Sequence, residues 1–275
     1  MEALPPLQYY LVSIFILTTI TPLKDTKHLL VSAFMDQRVQ GFDIRIIGLF
    51  RIDSIQPLHC RFCCADLASD KKQKDQHGRG GRVAVNFTVC ISSLFADYNN
   101  VLQFAQTLEM YRLLGVGRVV IYNTSCGPEL ERLLQIYSQD GFLEIVPWPI
   151  HQHLNPSKGW LFSEHGGDVH YFGQLATLNE CIYRSMERSR YVLLNDIDEI
   201  IMPYQHDNLM SMMNMLQEQH PNAGVFIIEN HFFPKKPFEG DKPGPLPQWR
   251  GVPGFNIMEH IYREEPDRTK YLPTS

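Results

Sequence analysis

The sequence predicts an α/β fold, a Rossmann-like mixed sheet with crossover helices carried by residues 83–275 and preceded by a smaller β-rich piece. Three observations predict it. From Val85 to Ile228, short apolar runs alternate with stretches of helical periodicity, as strands joined by crossover helices do. The run from Tyr191 to Leu194 reads as a strand buried on both faces of a parallel sheet, and it leads straight into Asp196 and Asp198. Asp70 to Arg82 contains no apolar residue, the composition of a flexible linker that divides the chain.

Taken in order, residues 1–23 read as an anchor or leader. Leu7 to Ile20 is apolar but 14 residues long, short of the ~20 that span a bilayer as a helix. Glu2 is the sole charge before Lys24, so the positive region of a signal peptide is missing, and a buried strand and a trimmed signal-anchor both stay open. Residues 24–69 hold three short strands, His28 to Met35, Asp43 to Phe50 and Leu58 to Cys63, too little for a core of their own. Residues 70–82 are the linker. Beyond it, Val85 to Ile91 is a strand. Asn99 or Asn100 caps a helix whose inner positions are Val101, Phe104, Ala105, Leu108 and Tyr111, and Gly115 ends it. Val119 to Tyr122 is the next strand. Pro128 opens a helix with Leu130, Leu133, Leu134 and Tyr137 inside and Gly141 after it. Phe142 to Val146 is a third strand, and a helix with Tyr171, Leu175, Leu178, Ile182 and Met186 on one face leads to the strand ending at Leu194. A stripe of Leu209, Met212, Met213 and Leu216 makes the last helix. A sixth strand, Gly224 to Ile228, precedes an irregular tail from Pro234 to Ser275.

With 44% hydrophobic and 20% charged residues, the 275-residue chain can bury one substantial core. Its net charge of −5 argues against a nucleic-acid partner, which would want a basic face. Six cysteines, Cys60, Cys63, Cys64, Cys90, Cys126 and Cys181, suit either pairing in an oxidising lumen or burial as thiols, and Cys60-x-x-Cys63 lacks the second half of a zinc ribbon. Two glycosylation sequons start at Asn86 and Asn123, both beside predicted strands.

Ligand sites lie outside the carboxyl ends of parallel strands. Those ends gather Asp97 and Tyr98, Asn123, Trp148 and His151, and Asn195 with Asp196 and Asp198. In an extended strand, carboxylates two residues apart share a face, and two hard oxygen ligands with open positions suit Mn²⁺ or Mg²⁺ bridging a diphosphate. Asp-x-Asp also occurs by chance at solvated strand ends, so the motif gains its weight from this position. Asp97, Tyr98, Asn123 and Asn195 are the candidate nucleotide contacts, Asp196 and Asp198 the metal ligands, and Glu229, at the end of the sixth strand, the candidate base beside Asp198. Gly166-Gly167 reads as a turn or a closing loop. His151, His153, His165 and His170 match no metal-ligand spacing. A phosphatase of the haloacid dehalogenase type also sets Asp-x-Asp after an apolar strand, but on its first strand and with Thr or Val where this chain has Ile200.

Four blocks make a specific resemblance: Val-Asn-Phe-Thr-Val-Cys-Ile from Val85, Leu-Glu-Met-Tyr-Arg-Leu-Leu-Gly-Val from Leu108, Gly-Gln-Leu-Ala-Thr-Leu-Asn-Glu-Cys-Ile-Tyr-Arg from Gly173, and Leu-Leu-Asn-Asp-Ile-Asp-Glu-Ile-Ile from Leu193. Together they resemble glycosyltransferase family 92, over about Val83 to Tyr262. The resemblance implies a GT-A type nucleotide-sugar transferase fold, manganese at Asp196 and Asp198, and inverting transfer of a hexose from a UDP-sugar donor to a glycan acceptor. UDP-galactose is the family's best-known donor, and fucose on N-glycan cores its acceptor. It further implies a Golgi protein, single-pass type II, with membrane association through its amino terminus and a lumenal catalytic domain. The family pattern leads one to expect a late strand and a histidine beyond Ser275, so residues 83–275 read as a C-terminally incomplete catalytic domain. The competing expectation is an inactive, truncated transferase-fold module that binds a partner or ligand.

Overall fold

The structure, a computed structural model, describes residues 19–36, 43–54, 84–234 and 249–265. The linker 70–82, the strand expected from Leu58 to Cys63, Cys60, Cys63, Cys64 and most of the apolar segment from Leu7 to Ile20 lie outside the described residues. No helix among the described residues is long and apolar enough to cross a membrane.

Two sheets form. β1 (Thr21–Pro22), β2 (Leu29–Asp36) and β3 (Asp43–Leu49) make an antiparallel sheet in sequence order. The second sheet is parallel, built from β4 (Val85–Leu94), β5 (Arg118–Asn123), β6 (Leu143–Pro147) and β7 (Ser189–Leu194) in the order β6-β5-β4-β7. α1 (Val101–Leu113) crosses from β4 to β5 and α2 (Pro128–Gln139) from β5 to β6. The short α3 (Phe162–His165) and then α4 (Gln174–Ser185) lead from β6 to β7. α5 (Leu209–Gln219) follows β7.

Period-two alternation sorts the parallel strands between two cores. Phe87, Val89, Ile91, Val119 and Ile121 point to one face, where they meet Phe104, Leu108 and Tyr111 of α1, Leu130 and Leu134 of α2, and Leu209 and Met213 of α5. Cys90, Val120, Tyr122 and Val146 point to the other, packing with Ala176 and Cys181 of α4 and with Leu29 and Val31 of β2. The antiparallel sheet and α4 therefore form one outer layer, and α1, α2 and α5 the opposite one. Cys90 and Cys181 are joined in a disulfide that fastens α4 to the central strand β4. Cys126 is a free thiol.

Four expectations need correction. β7 is an edge strand rather than a fully buried one, and Leu194 is 46% exposed, because its outer side pairs with no strand among the described residues. The sixth strand is absent: 224–228 runs without repetitive structure, with Val225 80% and Ile227 95% exposed, so Glu229 ends no strand. α4 buries a different face from the one its apolar residues mark. Tyr171 precedes the helix in a short turn, Leu175 is exposed, and the inward side chains are Ala176, Thr177, Glu180, Cys181 and Ser185. The reason is bonding rather than hydrophobicity. Besides the disulfide, buried Glu180 accepts from Ser32 Oγ at 2.9 Å, from Arg184 Nη2 at 2.6 Å and from the Tyr122 hydroxyl. Finally, Asn100 precedes α1 without capping it. Its side-chain oxygen instead takes the Phe255 amide at 2.6 Å, which fixes the segment 249–259 against the start of the helix.

Candidate functional site

The chain steps from β4 to β5 to β6 in one direction, then returns to lay β7 on the other side of β4. That reversal makes the carboxyl ends of β4 and β7 the switch point, the place where open parallel sheets form their ligand crevice. The register makes it asymmetric. Leu194 lies opposite Cys90, so β7 stops four residues before β4 does, and the chain leaving β7 turns beside the last residues of β4. The Asn195 amide still donates to Cys90 O at 3.3 Å, and the Glu199 amide to Asp196 O at 3.1 Å, closing a turn over 196–199.

Strand alternation therefore does not aim Asp196 and Asp198; the turn does, and Glu199 holds it. One Glu199 carboxylate oxygen accepts from the Asp196 amide at 3.1 Å, the other from Asn230 Nδ2 at 2.7 Å, and its carbonyl accepts from the Tyr111 hydroxyl. Three carboxylates thus crowd one turn. Burial raises the Asp196 pKa, and the charges of Glu199 and Asp198 raise it further. The field reaches three tyrosines. Tyr98 is pushed up to about 12 by burial and by Asp198, Tyr171 is raised by burial and then by Asp196 and Asp198, and Tyr111 is raised by burial and then by Glu199, Asp198 and Asp196. Clustered hard oxygen donors of this kind fit a divalent cation such as Mn²⁺ or Mg²⁺ that completes its shell with a ligand's oxygens. Among the described residues no group of three or more His, Cys, Asp or Glu side chains is arranged to hold a metal.

The wall of the crevice is backbone held in an uncommon conformation. Ala96 and Asp97 have φ of 54° and 51°, and Tyr171 and Phe172 have φ of 42° and 55°, four non-glycine residues in the left-handed region. Such strain persists where surroundings fix it, and it concentrates at functional sites. Here the two pairs brace each other: Phe95 stacks on Phe172 with ring centroids 4.1 Å apart and meets Tyr171 edge-on. Ser125 Oγ accepts from the Asp97 amide at 3.1 Å, and Ser157 Oγ from the Tyr171 amide at 2.8 Å. Asn123, at the end of β5, donates to Cys126 Sγ at 3.4 Å, whereas its Oδ1 is buried with no hydrogen-bond partner among the described residues. An enclosed acceptor left open at a strand end is a point where a ligand donor can be satisfied. It also means that the Asn123 amide nitrogen is engaged, while Asn86, in β4, is exposed.

Asp97, Tyr98, Asn123, Asn195, Asp196 and Asp198 all lie at the carboxyl end of the parallel sheet, as the sequence implied. Trp148 does not line the crevice: it is fully buried and donates from Nε1 to Phe172 O at 2.8 Å. Glu229 is exposed, next to the Asn230 that Glu199 holds. His151 lies at the rim of a separate cavity. Gly166-Gly167 closes a loop in which Ser157 pairs with Val169, and a side chain at Gly167 would strike Ser157 N at 2.7 Å. Sequence reasoning missed Glu199, Phe95 and Phe172. The Asp-Ile-Asp-Glu spacing held the signal for Glu199, since a carboxylate three residues on can cap the turn amide; nothing in the sequence marks the left-handed pairs.

The family model for glycosyltransferase family 92 matches residues 85–251, more than half of the chain. A glycosyltransferase family 92 protein of Caenorhabditis elegans is 29% identical over 147 residues, 50% of this chain and 27% of that protein. The beta-1,4-galactosyltransferase galt-1 of the same organism is 25% identical over 118 residues, 42% of this chain and 25% of the relative. The matched stretch thus spans about a quarter of the length of these curated relatives.

Proposed function

Since the chain belongs to glycosyltransferase family 92, we propose that the crevice between β4 and β7 binds a nucleotide-sugar donor and transfers its hexose to a glycan hydroxyl with inversion. The observation that carries this reading is the acidic turn, where Asp196 and Asp198 stand together with Glu199 at the switch point of a parallel sheet. Asp196 and Asp198 would hold Mn²⁺ or Mg²⁺, which when bound neutralises the diphosphate leaving group. Tyr98 offers an aromatic surface for the base, and Asn123, at the end of β5, a side-chain amide beside it. Asp97 and Asn195 complete the nucleotide contacts. Glu229, exposed one residue from Asn230, is the carboxylate we assign to take the acceptor's proton as the new bond forms.

UDP-galactose is the preferred donor in this reading, supported by the name of the second relative. A lumenal, Golgi-type location draws support from the buried Cys90–Cys181 disulfide, a bond that persists in oxidising compartments. The test is the melting temperature of the purified chain with UDP-galactose, with and without Mn²⁺. A donor that binds only the folded state at a hundredfold excess over its Kd adds about 2.7 kcal/mol. A manganese-dependent rise that Asp196→Asn removes is the expected result; absence of any rise with all UDP-sugars would reject the donor site and favour an inactive module.

A further inference from the structure

A cavity of about 440 Å³ lies beyond the end of β6, and the donor site makes no use of it. Its volume is that of a small-ligand cleft. Pro156 and Phe172 give it an apolar surface, and His151, Gln152 and Lys158 bring hydrogen-bonding side chains to it. One dipeptide joins this cavity to the acidic turn. Phe172 lines the cavity, while the preceding Tyr171 lies within the field of Asp196 and Asp198. Both residues are held in left-handed backbone by Trp148 Nε1 on Phe172 O and by buried Ser157 on the Tyr171 amide.

The cavity's chemistry is not that of an anion site. Lys158 faces it together with Asp168, whose carboxylate already accepts the Asn155 amide at 3.0 Å. A pyranose ring presents an apolar C–H surface and an edge of neutral hydroxyls, which an aromatic and proline surface with imidazole, amide and ammonium groups can meet together. We infer that this cavity is the subsite for a sugar ring of the acceptor, seated so that Tyr171-Phe172 separates it from the donor's diphosphate. The inference deepens the transferase reading and rests on it.

The test follows the imidazole NMR signals of His151 and His153 in the full chain while methyl glycosides of galactose, fucose and N-acetylglucosamine are added, and separately UDP with Mn²⁺. Expected are shifts with at least one glycoside, weakened roughly fivefold by Lys158→Ala or Gln152→Ala, each removing one hydrogen-bonding group. UDP binding should be unchanged in both variants. If UDP binds and no glycoside moves either histidine, the cavity assignment fails while the donor site stands. Shifts of these histidines by UDP alone would make the cavity part of the nucleotide site and overturn the inference. Glycoside binding without any UDP binding would keep a carbohydrate cavity and reject the transferase, and binding by neither would reject both.

Discussion

Asp198 and Glu180 show how differently two carboxylates can serve one molecule. Asp198 is exposed in a turn after β7, where its neighbours are other acids, so neutralising it removes a metal ligand without opening the core. Asp198→Asn should abolish manganese-dependent UDP binding in calorimetry while shifting stability by no more than about 0.5 kcal/mol, as surface changes usually do. Undiminished binding by the variant would show that the metal lies elsewhere. Glu180 is 1% exposed; Arg184 balances its charge, and it accepts hydrogen bonds from Ser32 and from Tyr122, whose pKa it raises beyond what burial has already done. It links β2, α4 and β5. Its place on the inner face of α4, away from the stripe that the apolar residues mark, has a plain cause: hydrophobic periodicity is blind to an acid that is buried because it is bonded.

At the scale of elements, the order of the parallel strands decides which substitutions matter. Val120 lies in β5, fully buried between two strands, whereas Leu194 ends the edge strand β7 with nearly half its surface open. Val120→Asp should unfold the domain, costing more than about 4 kcal/mol by burying an unpaired charge, while Leu194→Asp should cost under about 1 kcal/mol. Urea midpoints of the two variants check this, and equal losses would mean that β7 is covered. The disulfide between β4 and α4 joins cysteines 91 positions apart in the sequence. Cys181→Ser should lower stability by about 2–5 kcal/mol, with no effect on donor affinity in the fraction that remains folded.

The whole molecule is held at the far end of the sheet by a charge network with a defined acid limit. Burial opposes the charge on Glu144, yet the hydrogen bond and charge of Arg118, together with Arg184, outweigh it and hold its pKa below the ordinary 4.5. A carboxyl lowered on folding contributes its full stabilisation above the unfolded value and loses it as pH falls through the folded one. Stability should therefore decline below about pH 4.5, and Glu144→Gln should flatten that part of the urea-midpoint profile. An unchanged slope would assign the acid sensitivity to other groups. Composition, alternation and caps by themselves determined the layered α/β architecture from Val85 to Leu216, because the burial of apolar stripes is written at fixed periods of two and 3.6 residues. The Asp-x-Asp segment was equally plain, since two acids directly after an apolar run have few structural uses. Only tertiary structure decided that β7 is an edge, that Gly224 to Ile228 forms no strand, and that the acids are aimed by a turn held by Glu199. Strand order, register and left-handed backbone depend on contacts between residues far apart in the chain, and no local period encodes them.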